Sequence, residues 1–370
     1  MSDHIRPLRS AYDFSTLEQN NRIMVEYIWI GARGPSDMRS KSMALDTRDF
    51  GENGPTVEDL RVWNFDGSST NQAPGYDSEV LLVPRKVYRD PFNRGGNLLV
   101  LCETRDNLSE PLPSNFRDVA KDVTLSHSEE RSQVSFTQQY VLASPNSVLK
   151  RPVSWPLKGY PQPEGKYYCG VGPTNVSNRK IMEDHYKICL YAKINITSYN
   201  AGAMLGQWCY EIGASEVLTA CDDLWMSRWL LMRLAEGYNC NAVFDYRLVK
   251  GDWSPSTAIT SFSTVAMRGR AGLKAIETAT TCLKSKHSDL VPLFGLGRTD
   301  RDDCDGSLVT IPSETMKASK GFLRDARMTA NFDPYLVSAA IIDAICNEGQ
   351  RLDNLNCKYQ QLVDTYPDVQ

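Results

Sequence analysis

Apolar positions in the first third of the chain come in short, β-branched and aromatic runs rather than at helical spacing. Ile23–Gly31 (IMVEYIWIG) ends on a glycine and predicts a strand, and Val80–Pro84 and Asn97–Thr104 (NLLVLCET) predict two more. Polar and proline residues then cluster over Asp106–Pro113, as in a linker. This places a small strand-rich domain at residues 1–108 and a larger domain at 109–370.

Helical periodicity dominates afterwards. Over Ser177–Ile194, residues Ile181, His185, Ile188, Cys189 and Ala192 share one face. Asp222 is the expected N-cap of a helix that turns Trp225, Trp229 and Met232 inward and stops at Gly237. Leu273, Ile276, Thr280 and Leu283 form another stripe. Asp333–Gly349 has the fullest set of signals: Asp333 as N-cap, Pro334 at the first helical position, Val337, Ile341, Ala344 and Ile345 as the stripe, and Gly349 as the stop. These stripes read as core rather than as a ligand pocket. Strand-like runs at Lys193–Tyr199, Gln207–Gly213 and Asn241–Val249 lie between the helices, so the larger domain mixes both elements and the fold class is α+β.

Composition narrows the function classes. No window approaches the roughly 18 consecutive apolar residues of a membrane span, and MSDHIRPLRS lacks the apolar stretch of a secretory signal, so a cytoplasmic protein without membrane insertion is expected. A net charge of −4 argues against a nucleic-acid binder with a broad basic face. The 10 cysteines stand singly with no CxxC pair, and the 4 histidines have no metal-ligand spacing, so reduced thiols and no histidine-rich metal site are expected.

The run Val62–Pro74 (VWNFDGSSTNQAP) and its continuation Gly75-Tyr76-Asp77-Ser78-Glu79 closely resemble the signature loop of type II (eukaryotic) glutamine synthetases. Glu26–Ile30, Arg39-Ser40-Lys41, Asp90–Gly95, Tyr167–Gly172, Asp184-His185-Tyr186, Gln207-Trp208, Lys250–Trp253, Ala330-Asn331 and Asp333-Pro334-Tyr335 keep the order of that family's other elements. The resemblance covers nearly the whole chain. It implies a β-grasp-like N-terminal domain, a C-terminal domain with a curved antiparallel sheet and outer helices, and ring homo-oligomers, typically two stacked pentamers. It also implies that the loop carrying Asp66 and Ser69 reaches the ammonium region of a neighbouring subunit's site. Read from the residues alone, Asp66-Gly67-Ser68 is a turn.

The chain departs from the family where the chemistry is done. Forming glutamine moves the γ-phosphoryl group of ATP to the glutamate side chain, after which ammonia displaces phosphate. Such transfer rests on positioning and charge neutralisation, for which the family supplies glutamates and a histidine to divalent cations. In place of the family's EQEY stands Thr137-Gln138-Gln139-Tyr140, and in place of NAEVMPxQWEF a stretch with Gly202 and Cys209 at the glutamate positions. The histidine of GDWNGAGCHTN is Ile259, and Pro255 and Thr257 replace glycines. Aligned with YFEDRRP, Phe322–Met328 puts Arg324 at a glutamate position and Ala326 at a substrate arginine, while Ser313 replaces the arginine closing SIRIPR. The chain also lacks the LTGxHET flap, its counterpart being the shorter stretch Ser288–Ser307.

Thr137, Gln139, Gly202, Cys209, Ile259 and Arg324 are therefore expected to hold no metal, and Ser313 and Ala326 to weaken substrate binding. Glu211, two residues from Cys209 in a strand, replaces at most one carboxylate, and Asp300, Asp302, Asp303 and Asp305 read as a solvated loop rather than a chelator. The resulting expectation is a chain without cofactor or ligase activity, a structural or regulatory scaffold assembled with itself or with an active relative. The alternatives are an active glutamate–ammonia ligase with relocated ligands, or a module that binds nucleotide or amino acid without turnover.

Overall fold

The computed structural model describes residues 17–32, 37–50, 54–145, 151–156, 158–297 and 306–365. The first sheet holds β1 (Arg22–Ile30), β2 (Met38–Asp46), β3 (Trp63–Asp66), β4 (Glu79–Arg89) and β5 (Leu98–Arg105) in the order β2-β1-β5-β4-β3. β1 runs antiparallel to β2 and parallel to β5, giving a mixed, β-grasp-like sheet. Strand alternation divides its side chains between two cores. Val25, Tyr27, Trp29, Val100 and Cys102 fill a small core on one face. Ile28, Ile30, Leu99 and Leu101 face the other way and join the main core of the molecule.

The remainder runs α1 (Arg117–Ser126), β6 (Gln133–Ala143), α2 (Arg179–Tyr191), β7 (Ile196–Ala201), β8 (Gln207–Glu216), α3 (Val217–Gly237), β9 (Asn241–Val243), β10 (Thr257–Ser263), α4 (Val265–Arg268), α5 (Gly272–Ser285), α6 (His287–Leu290), β11 (Val309–Thr310), α7 (Ser313–Ala318), β12 (Leu323–Thr329), α8 (Pro334–Cys346) and α9 (Leu352–Thr365). Its strands form an antiparallel sheet in the order β11-β12-β10-β6-β8-β7, with β9 beside β6. One face, bearing Phe136, Tyr140, Tyr210, Ile212, Phe262 and Met328, packs into the main core with α3 and α8. This α+β arrangement agrees with the expected class.

Asp333 caps α8 as the sequence predicts, accepting from Tyr335 N at 2.8 Å and Leu336 N at 3.1 Å. Asp222 does not cap. α3 begins five residues earlier, at Val217, because Val217, Ala220 and Cys221 extend its buried face. The Asp222 carboxylate sits inside the helix, where it accepts from Arg117 Nε at 2.9 Å and Tyr335 Oη at 2.5 Å. Next to it Asp223 takes Lys86 Nζ at 2.7 Å and Tyr88 Oη at 3.0 Å, tying the first sheet to α3. The run expected as a strand to Val249 stops at Val243.

Arg228, on the same helix, is fully buried, and neutral oxygens hold it. Its Nε and Nη2 donate to Gln138 Oε1 at 3.0 and 2.6 Å, and Nη1 donates to the Phe332 carbonyl at 3.0 Å. The rings of Trp225 and Phe332 lie 4.8 and 4.9 Å from the guanidinium carbon. Loss of water lowers its pKa to about 10. Replacing Gln138 with leucine strips this charge of its main acceptor and is expected to cost about 3–5 kcal/mol. Urea unfolding checks this, and a loss below about 1 kcal/mol would contradict the role given to Gln138.

Burial raises the Asp333 carboxyl to about 6, against the opposing pull of its cap hydrogen bonds and of Arg228. The folded state thus holds the proton more tightly than the unfolded state, and Asp333 costs stability as pH rises from about 4 through 6. Asp333→Asn keeps an acceptor for the cap and removes the charge. The variant should melt above the parent protein at pH 7.5, by the equivalent of about 1–3 kcal/mol, and the two should converge towards pH 4. Parallel melting curves across that range would refute the assignment.

Candidate functional site

The other face of the antiparallel sheet is open and polar. Strand registers place its residues in rows. Ile259 on β10 pairs with Thr137 on β6, Thr137 with Glu211 on β8, and Glu211 with Ser198 on β7. In the next row Gln139 pairs with Cys209, and Cys209 with Asn200. Towards the other edge, Arg324 on β12 pairs with Ser261 on β10. The structure therefore brings Thr137, Gln139, Cys209, Ile259 and Arg324 together on one surface, with Ala326 beside Arg324 in the alternation of β12.

Three of the remaining sequence candidates lie elsewhere. Ser313 is exposed at the start of α7. Asp66 caps a 3₁₀ turn over Gly67–Thr70, accepting from Ser68 N at 3.0 Å, Ser68 Oγ at 2.6 Å and Ser69 Oγ at 3.1 Å. The serine hydroxyls hold its carboxyl below the usual range. The turn read from these residues is thus present. The aspartates at 300, 302, 303 and 305 fall outside the described residues.

Gly202 follows β7, where its backbone N–H donates to the Gln207 carbonyl at 2.8 Å. A Cβ on Gly202 would stand 2.5 Å from Gln207 Oε1. That amide is itself anchored. Its Oε1 accepts from Ala203 N at 3.1 Å, and its Nε2 donates to Ser256 Oγ at 3.2 Å and the Pro255 carbonyl at 3.3 Å. Gln207 thus fills the space a longer side chain at position 202 would need. No motif in the sequence signals this contact.

One neutral replacement, Gln139, is hydrogen-bonded across the sheet. Gln139 Oε1 accepts from Thr257 N at 2.8 Å and Thr257 Oγ1 at 3.1 Å. The Cys209 thiol is pushed up to about 12, first by burial, then by the charges of Glu211 and Cys169, and stays protonated and inert at neutral pH. Glu211 Oε2 accepts from Ser198 Oγ at 3.1 Å. Arg324 is partly buried, and its Nε is shielded from water with no hydrogen-bond partner. Off this face, His185 is fully buried with its pKa lowered to about 4 by desolvation and its Nε2 at 2.9 Å from the Ser227 carbonyl, a packing role.

Magnesium or manganese, implied by the family resemblance, requires several hard and mostly anionic oxygens. The donors on this face do not fit such an ion: a hydroxyl, an amide oxygen already accepting twice, a neutral thiol, one serine-bonded carboxylate and a guanidinium. No group of three or more histidine, cysteine or carboxylate side chains suited to a metal occurs among the described residues. No helix among them is long and apolar enough to cross a membrane.

A mixed sheet joined to an antiparallel sheet with one helix-covered and one open face defines the fold of glutamine synthetases. The cryo-EM structure of the Plasmodium falciparum glutamine synthetase superposes on it with a TM-score of 0.66 at 12% identity, covering 90% of this chain and 73% of that one. Sequence similarity is stronger. Glutamine synthetase N-1 of Phaseolus vulgaris is 38% identical over 347 residues, 88% of this chain and 94% of the relative. The cytosolic isozyme 2 of Vitis vinifera is 38% identical over 358 residues (91% and 98%), and the Emericella nidulans glutamine synthetase 36% over 361 (93% and 98%). No family model matches the chain. The chain belongs to the glutamine synthetase family.

These relatives overturn the expectation that the chain is not an enzyme. Glutamine synthetases 36–38% identical over most of its length point to an active glutamate–ammonia ligase. That expectation rested on a handful of ligand positions, whereas the similarity extends over the framework that carries them. Gln139→Ala tests the local packing of the open face. Loss of the acceptor for Thr257 should cost about 1–2 kcal/mol in urea unfolding, and an unchanged midpoint would show that water serves Thr257 equally well.

Proposed function

We propose that this chain is an ATP-dependent glutamate–ammonia ligase whose handling of phosphate charge differs from the family pattern. The observation that carries the reading is the end-to-end similarity to glutamine synthetases, 38% identity over 88% of this chain and 94% of the Phaseolus vulgaris relative. The open face of the antiparallel sheet is the proposed reaction surface, since the candidate positions Thr137, Gln139, Cys209, Ile259 and Arg324 share it. The reaction is the two-step one of the family. The glutamate γ-carboxylate takes the γ-phosphoryl group of ATP with release of ADP, and ammonia then replaces phosphate at the acyl carbon and gives up a proton. Arg324 supplies positive charge to this face, and Thr137 and Ser261 supply hydroxyls.

The cytosolic isozymes among the relatives support a cytoplasmic location. The retained loop at Val62–Thr70 supports a ring homo-oligomer in which Asp66 and Ser69 approach a neighbouring subunit's site, with the smaller domain ending at residue 108. The deciding assay is γ-glutamyl hydroxamate formation from glutamate, hydroxylamine and ATP, run with magnesium, with manganese and with EDTA. Turnover above a protein-free control is expected in at least one condition, and silence in all three at millimolar substrates would overturn the ligase reading.

A further inference from the structure

The ligand chemistry of the open face follows from the charge it carries. At the position where the family resemblance places a metal-binding glutamate stands Arg324, on a strand whose neighbours across the sheet on this face are Ser261 and Ile259. A guanidinium presents Nε–H and Nη–H as a planar fork matched to two oxygens of a phosphate or carboxylate. In Arg324 the Nε–H is buried and has no partner. Buried donors are ordinarily satisfied, so the Arg324 guanidinium keeps one donor that the sheet leaves unmet, at a partly buried position on the open side of β12. Among the described residues of the sheet no carboxylate pairs with it: that of Asp325, next in the chain, faces the opposite side and is bound by Arg327 Nη2 at 2.5 Å. Glu211 lies beyond β10 and β6 on β8 and is bonded by Ser198.

We propose that this face binds a phosphate oxyanion directly through Arg324, without a divalent cation between protein and phosphate. The inference rests on the ligase reading, in which that oxyanion is the terminal phosphate of ATP or the phosphate released from it. One guanidinium here takes the charge-neutralising role that the family pattern assigns to divalent cations held by carboxylates. Thr137 and Ser261 add hydroxyl donors on the same surface, and Gln139 is kept out of cation binding by its two bonds from Thr257.

Calorimetry with the full chain tests this. The probes are the non-hydrolysable β,γ-imido analogue of ATP and, separately, inorganic phosphate, each titrated in excess EDTA and again in excess magnesium. The analogue should bind in EDTA, and Arg324→Gln should weaken it by roughly tenfold or more, as expected for loss of a charge-assisted fork. Arg324→Lys should recover part of the loss, and the variants should keep the parent's melting temperature. Arg324-dependent binding of inorganic phosphate as well would assign the site to the released ion; binding of the analogue alone would assign it to the triphosphate end. Binding that requires magnesium, binding unchanged in Arg324→Gln, or no binding in EDTA would overturn the proposal. Binding in EDTA without hydroxamate formation would remove the ligase reading and leave the oxyanion site standing.

Discussion

A buried guanidinium paired with an amide governs how α3 meets the antiparallel sheet. Arg228 sits on α3, a helix with 14 of its 21 residues buried, and its donors reach β6 through Gln138 and the segment before α8 through the Ala330 and Phe332 carbonyls. Burying an unpaired charge is costly unless each donor finds an acceptor and the geometry is fixed. Here the acceptors are backbone and amide oxygens, so the arrangement tolerates little sliding of helix against sheet. Gln138 points into this cluster, which leaves its neighbours Thr137 and Gln139 on the opposite, open face. The orientation of the open face is thus set from beneath it.

The same helix fixes the first sheet. Asp222 and Asp223, adjacent in sequence, take Arg117 and Tyr335 on one side and Lys86 and Tyr88 on the other. Glu103 on β5 adds to this network through Arg85 at 2.7 Å and Arg117 at 3.2 Å. Removing one partner of such a buried pair would leave an uncompensated charge. These carboxylates hold the strand-rich sheet in one orientation against α3 while Ile28, Leu99 and Leu101 supply the apolar contact.

Where alternation or capping chemistry stood alone, the sequence was sufficient. β1 was legible because Val25, Tyr27 and Trp29 face one core and Ile28 and Ile30 the other, all apolar, and α8 because Asp333 and Pro334 leave its first amides only one nearby acceptor. β6 was not, since the buried members of QVSFTQQYVLA include Gln138, which reads as surface until Arg228 is seen above it. Asp222 misled for a related reason: a carboxylate beside a predicted helix looks like a cap when its partner lies a hundred residues away. Candidate positions on the open face were legible from the resemblance to glutamine synthetases. The bonds of Gln139 to Thr257, the Gln207 side chain over Gly202 and the orphaned Nε of Arg324 were not, because each depends on strands brought side by side by the fold.

The contact between Gly202 and Gln207 limits how either position can be exchanged. Restoring a glutamate at position 202 puts its first side-chain carbon into an amide that four neighbours hold in place. The amide must yield before the carboxylate can enter, so substitutions at these two positions are coupled rather than independent. A single exchange at position 202 therefore meets a clash that a paired exchange avoids.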